Sequence, residues 1–286
     1  MATFYNQATL LFGGQRINSN TTAAEIVDAA SMTKTAVSAS YAAGDAVAYV
    51  ISIPNDGAAA LTNLTLTDDL GTYTIAGGMA VTPLEYVPDT LKYYVDGVLL
   101  PSPTVTAEDG TLTVTGISVP SGSVAMLIYE ARANEFAPLA PGSVITNTAT
   151  LTGEGLCNTV SDTAAVPVLE APELSITKTA SPEVVTGCGE ITYSFIIQNT
   201  GNTAAVATDD LIVTDVFDPA LSDITVTIDG ATVAEGTAYT YDEATGSFTT
   251  LPGAITVPAA TYAQDPTTGV ITVTPGVTVL TVSGTL

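Results

Sequence analysis

An internal repeat constrains the fold of this chain more than any other feature. Residues 32–57 align without a gap to residues 176–201, which pairs Lys34 with Lys178. The alignment then resumes at intervals along both copies. The aligned segments, in chain order, are 32–57 with 176–201, 64–68 with 211–215, 95–97 with 228–230 and 117–132 with 271–286. Two copies at this spacing indicate two domains of one fold in tandem.

The repeated segments have the pattern of β-strands. Most alternate apolar and polar residues over four to eight positions, and Gly, Pro, Asn or Asp bounds them. Asp96 and Asp229 each precede a glycine, as in a hairpin turn. The sequence therefore predicts an all-β chain with two tandem Ig-like β-sandwiches, domain one at 28–155 and domain two at 156–286.

The second copy stops before the first one does. Leu286 aligns with Arg132, whereas domain one continues to a closing strand at 144–152. Domain two has no strand to match it. A sandwich without its closing strand exposes an unpaired edge and an apolar groove, which promotes association with another chain.

The missing strand has a copy at the other end of the chain. Residues 4–27 align without a gap to residues 145–168, and Asn6 matches Asn147. We therefore interpret 1–27 as a closing strand and linker with no domain in front of it.

Two arrangements complete domain two. The N-terminal strand folds back onto its own chain, or it enters domain two of a neighbouring subunit as a donor strand. Because residues 11–27 match the linker 152–168, we expect them to join successive domains, which favours the neighbour. Repeated head to tail, this contact gives an open fibre unless it closes into a ring. With fold-back, the chain is instead a surface adhesin or binding module.

Several motifs resemble those of a known family. ITKT (176–179), ITYSFIIQNTG (191–201), LIVTD (211–215) and ITNTATLTG (145–153) are similar to an Ig-like repeat of uncharacterised bacterial surface proteins. That family is related in architecture to the B-type repeats of collagen adhesins. The resemblance implies surface stalks or fibres. It also implies Lys–Asn isopeptide bonds, in which a lysine on the first strand attacks an asparagine on the last strand, a buried acid assists, and ammonia leaves.

The repeated lysines fit that chemistry. Lys34 and Lys178 occupy the same Thr-Lys-Thr position, and burial favours the neutral amine that a nucleophile needs. Asp68 and Asp215 are the candidate assisting acids, at matched strand ends. The expected cross-links join Lys34 to Asn147 within domain one and Lys178 of one subunit to Asn6 of the next.

Other residues are weaker candidates. Glu130 aligns with Gly284, and turn geometry accounts for Asp96 and Asp229. Lysines and asparagines at strand edges also serve as solubilising charge and turn residues. Cys157 and Cys188 have no counterparts in the other copy, so an intrachain bridge, an intersubunit bridge and free thiols all stay open.

Composition excludes several functions. Lys+Arg 5 against Asp+Glu 29 gives a net charge of −24, which disfavours nucleic acid and anionic membranes. The chain has no His, which rules out His-based triads and the usual zinc sites. The acidic pairs 68–69 and 209–210 lack the spacing of an EF-hand-like calcium site. We expect no cofactor, no metal and no enzyme activity beyond autocatalytic cross-linking.

The location and partners follow from the fibre interpretation. We expect an extracellular structural subunit, at a cell or spore surface, whose partner is itself; an anchoring or capping protein is not identified. Residues 1–15 lack the features of a secretory signal, and no apolar run is long enough to span a bilayer. Release with a spore or a dedicated export system is therefore expected.

Overall fold

The computed structural model describes residues 2–26 and 30–286, whose regular secondary structure is almost entirely β-strand, as the sequence predicts. The chain divides into two compact units: Met1–Ala137 with Val144–Pro167, and Pro138–Ser143 with Val168–Leu286. Each unit is built from antiparallel sheets. The one short helix among the described residues is the 3₁₀ turn Ala207–Asp209.

The N-terminal segment is a long β-hairpin. Its strands are β1 (Ala2–Asn6), β2 (Thr9–Phe12), β3 (Gln15–Asn18) and β4 (Thr22–Ile26). β1 pairs with β4 and β2 with β3. The tip is Gly13-Gly14, and both glycines have positive φ, as a tight hairpin turn requires. The sequence interpretation treated residues 11–27 as a linker, but most of them form the second arm of this hairpin.

The first unit is a two-sheet sandwich. The strands that follow the hairpin are β5 (Thr33–Ala36), β6 (Ala46–Pro54), β7 (Leu61–Asp68), β8 (Tyr73–Thr74), β9 (Ala80–Val81), β10 (Leu84–Tyr86), β11 (Lys92–Val95), β12 (Val98–Leu100), β13 (Thr104–Glu108), β14 (Thr111–Val119), β15 (Val124–Ala133), β16 (Val144–Glu154) and β17 (Val160–Pro167). One sheet has the order β12-β11-β15-β6-β5, with β10 also on β15, and the other β13-β14-β7-β16-β17. Alternate residues of β6, β15 and β16 are buried, so the core lies between the sheets.

The limit of the first unit differs from the predicted boundary at residue 155. β17 pairs with β16 along its whole length, from Val144 opposite Pro167 to Leu151 opposite Val160. Because these ladder hydrogen bonds tie β17 to the sheet of domain one, the first unit extends to Pro167.

The second unit has the same layout with fewer strands. They are β18 (Leu174–Ser181), β19 (Glu190–Asn199), β20 (Thr214–Val216), β21 (Ser222–Ile228), β22 (Ala231–Thr232), β23 (Tyr239–Asp242), β24 (Ser247–Thr250), β25 (Thr261–Gln264), β26 (Ile271–Thr274) and β27 (Gly276–Thr285). One sheet runs β18-β19-β27-β21-β22 and a second runs β20-β24-β23; β25 and β26 pair separately. The core contains buried side chains from both sheets, among them Phe195, Phe248, Leu280 and Val282.

Candidate functional site

A lysine and an aspartate lie together in the core of the first unit. The Lys34 Nζ is 2.6 Å from the Asp68 Oδ2, and neither side chain is accessible to solvent. Lys34 belongs to β5 and Asp68 ends β7, so the pair connects the two sheets. The other carboxylate oxygen of Asp68 accepts the backbone N–H of Leu70 at 3.0 Å. The amine also lies 5.0 Å from the centre of the Tyr49 ring.

Tyr129 connects this pair to the asparagine of the closing strand. Its hydroxyl donates to the Asp68 Oδ2 at 2.5 Å and accepts from the Asn147 Nδ2 at 3.4 Å. Asn147 is fully buried on β16. Its carbonyl Oδ1 has no hydrogen-bond partner among the described residues. Burial of an unpaired polar atom destabilises a fold by about 1–3 kcal/mol. Packing alone therefore does not explain why an asparagine occupies this buried position.

Burial and charge shift the pKa values of two groups in this cluster. Burial lowers the pKa of Lys34 below its usual range, and the Asp68 charge opposes that shift. Burial also raises the pKa of Tyr129 well above its usual range, with the Asp68 charge acting in the same direction. The tyrosine therefore stays neutral and keeps its proton.

The second unit has an equivalent pair in an open setting. The Lys178 Nζ contacts the Asp215 Oδ2, but the two side chains are 40% and 19% exposed. The amine lies 4.6 Å from the centre of the Tyr193 ring. All residues of β18, which carries Lys178, are exposed. Both units therefore have the Lys–Asp contact, but the pair that is buried in the first unit is partly exposed to solvent in the second.

The second pair is exposed because the sheet that carries Asp215 lacks a strand at one edge. In the first unit, β7 pairs with β14 on one side and β16 on the other, with Ala149 opposite Asp68. Its counterpart β20 pairs with β24, and no described strand pairs with its other edge. Val216 is exposed on this short edge strand. An unpaired backbone edge of this kind is a template for another strand.

The N-terminal hairpin carries the residues that match the missing strand. Every described side chain from residue 3 to residue 24 is exposed. In the aligned strand β16, alternate residues are buried. The matched pairs on the buried face are Phe4 with Ile145, Asn6 with Asn147, Ala8 with Ala149 and Leu10 with Leu151. The hairpin therefore exposes a row of side chains that domain one buries.

Sequence reasoning missed Tyr129. The sequence alignment sets it against Ser283, but strand pairing gives a different counterpart. Tyr129 lies opposite Tyr49, whereas Val282 lies opposite the matching Tyr193. The alignment of 117–132 with 271–286 is therefore one residue out of register. The signal that could have found Tyr129 is the inward alternation of its strand, which places it across from another buried tyrosine.

The weaker candidates have structural explanations. Glu130 is exposed, one position beyond Tyr129. Asp96 and Asp229 occupy hairpin turns with positive φ, and their carboxylates accept the backbone N–H groups of Val124 and Val279.

The cysteines are both exposed and free. Cys188 has a φ of 67°, and Gly44 at the aligned position has a φ of 76°. The two units thus share this turn despite the different residue.

Two acidic candidates among the described residues, Asp68 and Asp209, are engaged in other contacts rather than gathered at a metal site. Across residues 2–26 and 30–286, no group of three acidic, His or Cys side chains is arranged to hold a metal ion. Asp68, one of the weak calcium candidates, is engaged by Lys34 and Tyr129. Asp209 accepts the backbone N–H of Val206, at the start of the 3₁₀ turn. No helix in the described part of the chain is long and apolar enough to cross a membrane.

The chain resembles parts of several solved bacterial surface proteins. Neither a protein-family model nor a curated protein sequence matches it. It is 19% identical to the N-terminal domain of the Streptococcus gordonii adhesin Sgo0707, over 49% of this chain and 32% of that one, with a TM-score of 0.37. It is 14% identical to the full-length major pilin SpaD of Corynebacterium diphtheriae, over 85% and 58%, with a TM-score of 0.36. A third similar structure is the 35 kDa C-terminal fragment of the major pilin GBS80 of Streptococcus agalactiae, at 13% identity over 81% and 79% and a TM-score of 0.37. The chain thus spans about a third of the adhesin structure and under two thirds of the SpaD pilin.

Proposed function

We propose that this chain is a structural subunit that polymerises head to tail, with the N-terminal hairpin of one copy completing the second unit of the next. One observation carries the proposal: the open edge of β20 and the N-terminal hairpin correspond to two elements that are in contact in the first unit. In that unit the same two elements, β7 and β16, pair directly.

The first unit supplies a template for the docked register. Ala149 is opposite Asp68 and Leu151 is opposite Leu66. Transferred to the open edge, this register sets Ala8 of the donor opposite Asp215. Leu10 then lies opposite Val213, and Asn6 comes beside Lys178. The donated side chains fill the groove in the way alternate pockets receive a donor strand.

The second arm of the hairpin has a role in this contact as well. In the first unit, β17 covers β5, and the Asp162 carboxylate accepts the backbone N–H of Lys34 at 2.7 Å. β18, the counterpart of β5, is exposed throughout. The donor is therefore a two-stranded element, in which one arm completes the sheet and the other covers the lysine strand.

The contact is heterologous, so it propagates. Each copy has one donor and one acceptor, and the two surfaces differ. Unless the rotation per subunit closes a ring, such an interface generates a fibre. The net charge of −24 keeps the sides of neighbouring fibres apart, while the apolar groove determines end-to-end contact.

Isopeptide bonds lock both sites in this proposal. Lys34 joins Asn147 within the first unit, and Asp68 assists. Lys178 joins Asn6 of the neighbouring subunit, and Asp215 assists. The buried amine of Lys34, with its lowered pKa, and the unpaired amide oxygen of Asn147 support the internal bond. The equivalent Lys178–Asp215 contact supports the intersubunit bond.

A surface fibre is the function that fits these contacts. The subunit is extracellular, at a cell or spore surface, and it binds copies of itself rather than a cofactor. Its only chemistry is its own cross-linking. The similarity of its motifs to Ig-like repeats of bacterial surface proteins agrees with this location.

Electron microscopy and sedimentation of the purified chain at increasing concentration test the proposal. We expect unbranched fibres whose length and sedimentation coefficient grow with concentration. A monomer at every concentration would instead support the fold-back arrangement and the adhesin function that goes with it.

A further inference from the structure

Tyr129 occupies the position between the assisting acid and the amide group that must leave. Its hydroxyl is 2.5 Å from the Asp68 Oδ2 and 3.4 Å from the Asn147 Nδ2. Among the described contacts of Asp68, none reaches Asn147 directly: Lys34, Tyr129 and the Leu70 backbone take the carboxylate. A proton from Asp68 thus has a hydrogen-bonded route to the leaving nitrogen through the phenol.

We infer that Tyr129 is a catalytic proton relay for the bond between Lys34 and Asn147. This inference rests on the cross-linking in the proposed function, and it assigns a residue that neither the repeat nor the family resemblance identifies. General acid–base groups must lie within hydrogen-bonding reach of the atom they serve, and hydrogen bonds in a resting site are often long. The 3.4 Å contact fits that situation.

The proton and bond changes balance without another reactant. Lys34 first passes a proton to the Asp68 carboxylate and becomes a neutral amine. Its nitrogen attacks the Asn147 Cγ. After the attack Nδ2 carries a free lone pair, so the Tyr129 O–H turns from Asp68 to Nδ2 and the protonated Asp68 donates to the Tyr129 oxygen. Asp68 then gives its proton to that oxygen while the Tyr129 proton moves to Nδ2. Asp68 recovers a proton from the attacking nitrogen, the Cγ–Nδ2 bond breaks, and ammonia leaves. One N–C bond forms, one breaks, and the phenol is regenerated.

The second unit offers a natural comparison. Val282 occupies the position equivalent to Tyr129, and it is fully buried. Lys178 and Asp215 therefore have no hydroxyl from β27 between them and the incoming Asn6. The relay is a property of the first unit alone, and the two cross-links do not form at equal rates.

The test measures bond formation in freshly synthesised full-length protein. Samples are taken during cell-free synthesis, unfolded to stop the reaction, and digested to quantify the linked Lys34–Asn147 peptide, whose mass is lower by one ammonia. The variant is Tyr129→Phe. The matched control is Tyr86→Phe, because Tyr86 packs against the Tyr129 ring while its hydroxyl accepts the Leu91 backbone N–H. Near-UV circular dichroism and thermal melting show whether each variant is folded.

We expect Tyr129→Phe to slow formation of the bond by roughly a hundredfold, within the range for a lost general acid–base group. Tyr86→Phe should retain the wild-type rate. A folded Tyr129→Phe variant that links at the wild-type rate would overturn the relay and leave the proposed function intact. If wild type gave no linked peptide, the Lys34–Asn147 bond of the proposed function would itself be contradicted. If Tyr129→Phe does not fold, the rate of linkage of wild type in heavy water decides instead: a relay that moves two protons in one step slows the linkage there, and an unchanged rate would overturn it.

Discussion

Replacing Leu10 by aspartate should prevent fibre assembly, whereas the same change at Leu11 should not. Both leucines are exposed in the hairpin, at 62% and 70%. Leu10 matches Leu151, which is 0% exposed in the first unit, whereas Leu11 matches the exposed Thr152. Adjacent strand residues point to opposite faces. The docked register therefore buries Leu10 and leaves Leu11 in solvent.

The expected magnitude follows from that burial. Full burial of a leucine contributes about 1.5–3 kcal/mol, of which the part still exposed accounts for about 1–2 kcal/mol. A carboxylate at this position must also lose water opposite Val213 and close to Asp215, which adds at least about 1–2 kcal/mol. The total of about 3 kcal/mol weakens the contact roughly a hundredfold, at 1.4 kcal/mol per factor of ten.

Sedimentation velocity on an Asn6→Ala background gives the comparison, because no covalent bond then obscures the equilibrium. Leu10→Asp should remain monomeric at concentrations where Leu11→Asp forms polymers like those of the background. Equal assembly of the two variants would refute the donor register. If both remained monomeric, general loss of apolar surface at the tip would account for the result instead.

Three further predictions concern the lysines. On an Asn147→Ala background, Lys34→Met should lower the free energy of unfolding by about 3–5 kcal/mol in urea titrations, since Asp68 is left buried without its partner. Adding Asp68→Leu should restore most of that loss, and no recovery would contradict the buried pair. An amine-acylating reagent should label Lys178 in the monomer but not in the fibre, as read by peptide mass spectrometry; labelling of Lys34 in the folded monomer would contradict its burial. In a time course, the internal link of the first unit should be complete before the intersubunit ladder appears, and simultaneous appearance would contradict the difference between the sites.

The sequence alone predicts the two-sheet layers of this fold, because both copies of the repeat show the same alternation of apolar and polar residues. Alternation identifies the strands in both copies. The shared position of Lys34 and Asp68 relative to Lys178 and Asp215 also indicates that each lysine lies near its acid, as the contacts in both units show.

Two features needed the structure. The second arm of the hairpin was hidden because residues 15–26 align with a segment interpreted as a linker, and only pairing partners distinguish a linker from a strand. Tyr129 was hidden because repeat matching rewards residues present in both copies, and Val282 has replaced it in the second. A one-residue register error is invisible in an Ala- and Thr-rich alignment, but it reverses which side chains face the core.

The most direct test of the account is a denaturing gel of assembled protein that has been boiled in detergent with reductant. Wild type should give a ladder of covalent multimers, because the Lys178–Asn6 bond survives both treatments. Asn6→Ala should give only monomer, and Asn20→Ala, an exposed asparagine of the same hairpin, should keep the ladder. A wild-type sample that already runs as a monomer, or a ladder that persists in Asn6→Ala, would contradict the covalent head-to-tail fibre.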